Sequence, residues 1–209
     1  MNDKIFLPGE EIIESDSSLK INPVVYYVDE KNRKRFQRLS LLRDNSIIPL
    51  KGPYIPRIGD QIIGVISDVK FAYYDVELNV AFSGILPARE TKFDFRVGQI
   101  ISAIVEEIDE NLEITLGKPR ALRRGTIISI DPTKIPRILG KEDTMLNLIK
   151  NKLNCEIIVG KNGYIWLNGE NIPHAIEILK LIESQAHVRG LTNKIENMLA
   201  EINQELKKN

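Results

Sequence analysis

The chain has 209 residues, 43% of them apolar, with 29 basic and 29 acidic side chains. Cancelling charges dictate no global attraction to nucleic acid or an anionic membrane, so any polyanion has to be held by local patches. The single cysteine, Cys155, excludes an internal disulfide framework and a cysteine-rich zinc site.

The start, "MNDKIFLPGEEI", carries no basic-then-apolar leader, and no apolar run reaches membrane-spanning length. With the lone cysteine, this sets the expectation of a cytoplasmic protein without a membrane partner. The length accommodates one large domain or two to three small ones.

Residues 1–57 hold short apolar runs, "EEII", "PVVYYV" and "SIIPL", broken by turn residues. "PVVYYV" is β-prone, and the basic run "KNRKRFQR" that follows reads either as a solvated hairpin tip or as a partner or RNA contact. "KGPYIPRIGD" has two prolines and two glycines and reads as a linker into a new domain.

From Ile58 to residue 117 the pattern is all-β. "QIIGVISDVKF" is a strand whose interior Gly64 suits a bend or bulge. "YDVELNV" alternates, with Tyr74, Val76, Leu78 and Val80 on one face and Asp75, Glu77 and Asn79 on the other. "AFSGILPARE" reads as a turn and short connector, and "GQIISAIVEEID" and "LEITLG" are further strands. Short strands at this density, five in about 60 residues, suit an OB-type barrel, a platform for single-stranded nucleic acid.

Residues 118–209 read as β-α-α-β-β-α. "GTIISI" is a strand, "IPRILG" a short helix, and "TMLNLIKNKLN" an amphipathic helix with Thr144 as its expected N-cap. "EIIV" and "YIWL" are strands. "NIPHAIEILKLIESQ" is a helix with Ile172, Ile176, Leu179 and Ile182 at helical spacing. A last helix, "LTNKIENMLAEINQEL", puts Ile195, Met198, Ile202 and Leu206 on one face.

Two tetrads compete for the role of a G-x-x-G loop, which in one class of RNA-binding module clamps a nucleic-acid backbone. Gly160-Lys161-Asn162-Gly163 lies between two strands, and Asn-Gly is a strong hairpin-turn signal because both residues tolerate positive φ. Gly140-Lys141-Glu142-Asp143 lies between two helices, where backbone N–H groups at a helix start can meet phosphate. The second is the expected clamp position and the first a structural hairpin.

"IPRILGKEDTMLNLIKNKLNCEIIVGKNGYIWLNG" resembles the KH domain of the archaeal exosome RNA-binding cap subunits. "YIPRIGDQIIGVISDV" is similar to that family's junction between N-terminal and S1 domains, and "LPGE" to its opening turn. The resemblance implies an α+β chain of three parts: a ring-docking domain at 1–57, a five-stranded S1 barrel at 58–117 and a KH domain with a C-terminal helix at 118–209. It further implies single-stranded RNA and RNase PH-like ring subunits as partners, three caps per ring, no cofactor and no catalytic residues. The cap would capture RNA and guide its 3′ end inward for degradation or tailing by the ring. No glycine-rich segment stands in positions 10–50, where the family usually has one.

The clamp departs from the family pattern, with Asp143 in place of the second glycine. A side chain there blocks close backbone approach, and two carboxylates repel phosphate. Expected RNA contacts are therefore Arg137, Gly140 and Lys141 in a weakened loop, Arg123 and Arg124 in a basic junction, and Lys70, Phe71 and Tyr73 on the barrel. The junction runs from Lys118 to Lys141, with Arg120 and Lys134 as its other cations and Asp131 its one acid besides those of the tetrad. Two rival readings stay open: a structural stabiliser of the ring with little RNA affinity, and a stand-alone S1–KH regulator of translation.

Enzyme chemistry has little support. His174 and His187 are the only histidines, no P-loop occurs, and Cys155 has no evident base. Trp166 alternates with Tyr164 on one strand and reads as core or interface.

Overall fold

A computed structural model describes residues 4–12, 26–43, 46–80, 83–92, 94–110, 113–186, 188 and 190–206. Pro23 to Val25 of "PVVYYV" and His187 fall outside these. The chain divides into two compact units, residues 1–55 and 56–209.

In the first unit β1 (Lys4–Phe6), β4 (Leu39–Arg43) and β5 (Ser46–Lys51) form an antiparallel sheet in the order β1-β4-β5. A hairpin of β2 (Tyr26–Val28) and β3 (Lys34–Phe36) accompanies it. Ile12, Phe36 and Ile47 make a small core, with Phe6 stacked on Phe36 at 4.5 Å between ring centroids.

The basic run is tied to this hairpin. The Asp29 carboxylate accepts from the backbone N–H groups of Lys31 and Arg33 and from the Arg33 and Arg35 guanidinium groups. Those bonds, that from Arg35 above all, hold its pKa well below the usual carboxylate range.

The second unit begins with a closed barrel of β6 (Gln61–Val69), β7 (Tyr73–Glu77), β8 (Gly84–Pro87), β9 (Ile100–Ile108) and β10 (Ile114–Leu122), in the order β10-β8-β7-β6-β9. Tyr74, Val76 and Leu78 point inward as the alternation predicts. Gly64 meets the need for close approach: a Cβ there would collide with Val76 of the neighbouring strand and with Leu78 just beyond its end.

Two expectations need correction. "GILP", read as part of a connector, is strand β8, which closes the barrel between β7 and β10. Residues 118–122, placed by sequence with the KH segment, complete β10, so only residues 123–125 separate the barrel from the next strand.

Beyond that link come β11 (Thr126–Ser129), α1 (Ile135–Leu139), α2 (Thr144–Leu153), β12 (Cys155–Val159), β13 (Tyr164–Gly169), α3 (Ile172–Gln185) and α4 (Leu191–Leu206). The strands form an antiparallel sheet in the order β11-β13-β12. Ile138, Ile149, Ile157, Ile165 and Leu167 join residues of α3 and α4 in one core. The apolar stripe of α3 sits on Ala175, Ile178, Leu179 and Ile182, and Ile172 and Ile176, expected at its centre, are only half-buried. Leu191, Ile195, Leu199 and Ile202 fix α4 to this same core.

Candidate nucleic-acid interface

The Gly160–Gly163 tetrad is a hairpin turn joining β12 to β13. Gly163 N–H donates to Gly160 O at 3.1 Å and Gly160 N–H to Tyr164 O at 2.8 Å. Of the four residues only Gly163, at φ +90, is left-handed, so Asn162 does not use the freedom that its Asn-Gly pairing offered. This is the pattern of a turn followed by a left-handed glycine rather than a two-residue loop with both central residues left-handed.

The turn is buried against the barrel. Asn162 is fully buried, and its Nδ2 donates to Ile63 O at 2.7 Å and Leu78 O at 2.8 Å, while Ile63 N–H donates to its Oδ1 at 3.2 Å. Lys161 N–H donates to Gln61 O at 2.9 Å, and Lys161 Nζ pairs with Asp60 Oδ1 at 2.8 Å. Ile63 and Leu122 of the barrel pack with Trp166, and Ile100, Ile127, Ile158 and Tyr164 surround them. The tetrad therefore fastens the β11-β13-β12 sheet to the barrel. The sequence signalled the turn but not its burial, because the partners of Asn162 lie 84 and 99 residues earlier.

The Tyr164 hydroxyl donates to Glu77 Oε2 at 2.8 Å across the same junction. Burial, reinforced by that carboxylate, pushes Tyr164 up to about 12.

The second tetrad lies between α1 and α2, as expected. Gly140 has φ +76, and a Cβ on it would fall 2.9 Å from the Met145 backbone nitrogen. Glu142 and Asp143 are left-handed too, at φ 52 and 58. Asp143 thus holds a backbone shape that favours glycine, and all of Lys141, Glu142 and Asp143 is exposed. Asp143, rather than Thr144, occupies the N-cap of α2, and its side chain makes no capping bond. Arg137 on α1 is half-buried.

Arg123 and Arg124 are exposed in the link between β10 and β11, apart in the chain from the loop holding Gly140 and Lys141. On the barrel, Phe71 stands fully exposed, at 105% of its reference area, between β6 and β7. Its neighbour Lys70 is not a free cation. Lys70 Nζ pairs with Asp75 Oδ2 at 2.7 Å and lies 5.1 Å from the Tyr73 ring centroid. Hydrogen bonding to Asp75, then to Tyr73, pushes its pKa up to about 12.

An OB-like barrel fastened to a KH domain defines the class, a two-module arrangement of nucleic-acid-binding folds. Residues 125–173 match the KH domain family. The exosome complex component Rrp4 of Methanobrevibacter smithii is 39% identical over 215 residues, spanning 95% of this chain and 72% of that protein. The same component from Pyrococcus furiosus is 42% identical over 183 residues, spanning 77% of this chain and 69% of that protein. A crystal structure described as an exosome complex RNA-binding protein superposes with a TM-score of 0.66 at 27% identity, covering 75% of this chain and 99% of its own. The chain belongs to the exosome complex component Rrp4 family.

Proposed function

We propose that this protein is a non-catalytic, RNA-binding cap of an exosome, which captures single-stranded RNA and guides its 3′ end into a ring of RNase PH-like subunits. Membership of the Rrp4 family is the observation that carries this reading. The exposed cations of the barrel–KH link and the exposed Phe71 support it, since backbone charge and base stacking are the two means of holding a single strand without sequence choice. The RNA contacts are Phe71 and Tyr73 on the barrel, with Lys70 bracing their loop, and Arg123 and Arg124 in the link. Arg137, Gly140 and Lys141 contribute weakly, because Glu142 and Asp143 share their loop.

Three such caps sit on each ring, docked through the first unit, and the assembly works in the cytoplasm. None of the described helices is long and apolar enough to cross a bilayer. Affinity purification of the tagged chain from native extract tests the whole reading. RNase PH-like subunits are expected to co-purify with the full chain and to be lost when residues 1–55 are deleted. Ribosomes in their place would overturn it.

The acidic loop favours one rival: a ring stabiliser whose RNA affinity has been lost. Titration of the purified chain with single-stranded RNA separates the two, since the stabiliser shows no salt-dependent binding.

A further inference from the structure

Seven described residues other than glycine have positive φ: Asn32, Asn79, Lys118, Arg124, Glu142, Asp143 and Asn154. Four are Asn or Asp, whose short polar side chains tolerate this region. Lys118, at φ 50, and Arg124, at φ 59, are the two cations. Both side chains are exposed, and neither has an ion-pair partner among the described residues. Arg123 is exposed and unpaired in the same way. Arg120, which lies between them, differs in being paired with Glu156 at 3.3 Å.

The setting of each cation is specific. Lys118 stands in the irregularity of β10 between the pairs Gly117–Ile104 and Arg120–Ser102, where the strand bulges against β9. A bulge re-aims the side chain it carries. Arg124 is the middle residue of the strand-to-strand link, immediately before Gly125, whose missing side chain leaves room for the Trp166 indole. The six steps from Lys118 to Arg124 cover about 20 Å of extended chain.

Their direction is also fixed. Leu122 pairs with Ile100, and Ile100 with Val65, so β10 ends where β6 is heading towards the loop that carries Phe71. Parallel pairing of β10 with β8, and antiparallel pairing of β8 with β7 that sets Pro87 against Tyr73, put that loop at the same end of the barrel.

We propose that Lys118, Arg123 and Arg124 form a phosphate track for single-stranded RNA, leading along β10 to the Phe71 end of the barrel. The left-handed backbone at Lys118 and Arg124 aims these cations at the strand rather than stabilising the fold. The proposal rests on the RNA-binding reading above and assigns that reading a path.

The test exploits the opposition between strain and binding. The full-length chain and its Lys118→Asn and Arg124→Asn variants are titrated against a fluorescein-labelled oligouridylate by anisotropy at several KCl concentrations, and melted in parallel. Asn suits a left-handed position, so melting temperatures are expected to stay level or rise while RNA affinity falls. The slope of log K against log[KCl] should become shallower by about 0.7 for each cation removed, and by about 1.4 for the pair. Arg120→Asn, which removes a paired cation, should change the slope least. Should an Asn variant melt early, Lys118→Gly and Arg124→Gly supply the comparison in the fold's preferred geometry. Unchanged slopes in variants of a chain that itself binds the probe would overturn the track and leave the RNA-binding reading standing. Failure of the unsubstituted chain to bind at low salt would overturn both.

Discussion

Asn162 and Ile63 bond to each other as two paired strand residues would. The Asn162 side-chain amide accepts from the Ile63 N–H at 3.2 Å and donates to the Ile63 carbonyl at 2.7 Å. A side chain thus takes the place of a neighbouring strand at the buried junction between barrel and KH sheet. Leu78 O, at 2.8 Å, completes the set. Asn162→Ala leaves these backbone groups without their partner, at about 1–3 kcal/mol for each that stays dry. We expect a clear drop in melting temperature, with tryptic cleavage at Arg123 and Arg124 accelerated. A melting curve matching that of the parent would contradict the fastening role.

Gly163→Val separates the two tetrads. Gly163 has φ +90, and a Cβ there would collide with the Ile130 carbonyl, which lies beside it because Ile130 N–H donates to Gly163 O at 2.9 Å. Left-handed strain alone costs about 1–3 kcal/mol. Melting should fall while RNA affinity per folded molecule holds. Normal melting with lost RNA binding would make the hairpin a contact site instead.

Asp143→Gly is expected to act in the opposite direction. The substitution relieves a left-handed residue, of order 1 kcal/mol less any chain entropy lost by glycine, and sacrifices no capping bond. Combined with Glu142→Gly it also removes two negative charges from the loop. Level or higher melting and tighter RNA binding are expected. Equal affinity in parent and double variant would mean that the loop makes no RNA contact.

Alkaline pH should loosen the barrel–KH junction. The folded state raises Tyr164 from 10 to about 12. A raised pKa means that the neutral phenol is the form the fold prefers. Its contribution is whole below pH 10 and is lost as pH rises towards 12. Tyr164→Phe, which has no proton to lose, should flatten the melting temperature over that window. An undiminished alkaline decline in this variant would locate the titrating group elsewhere.

The first unit should respond to acid. Asp29 has its folded pKa depressed, so its contribution is present above the ordinary value of 3.8 and is lost as pH falls below it. Protection of the Lys31 and Arg33 amides, taken relative to the intrinsic exchange rate at each pH, should fall on acidification in the parent and be low at every pH in Asp29→Ala. Protection in that variant would show that other bonds hold the turn.

Much of this architecture was legible because its signals are local. The order of KH elements follows from periodicity, and the Gly160–Gly163 turn from its own residues. What escaped depends on distant partners. Strand β8 has a glycine at one end and a proline at the other, which is turn chemistry in sequence; yet Gly84 is required because a Cβ would press on Leu78 and Leu116. The stripe of α3 was displaced because Ala175, a small residue, carries a core position. Lys70 read as an RNA contact, and nothing in its neighbourhood in sequence announces that it also pairs with Asp75 across the hairpin. The acids that secure the basic run of the first unit, Asp29 and Glu11, were hidden for the same reason: one is a turn residue, the other lies 22 positions before Arg33.

The link between the barrel and the KH sheet has only three residues, 123–125. Fully extended, the four steps from Leu122 to Thr126 reach about 14 Å. Two bodies on so short a tether meet at high effective concentration, and even a weakened contact re-forms before they can drift apart. Damage to the junction should therefore appear as breathing in place, with brief exposure of Ile63 and Trp166 to solvent, and not as two modules tumbling independently. Hydrogen exchange at these buried positions would register it, where measurements of overall dimensions would see almost no change.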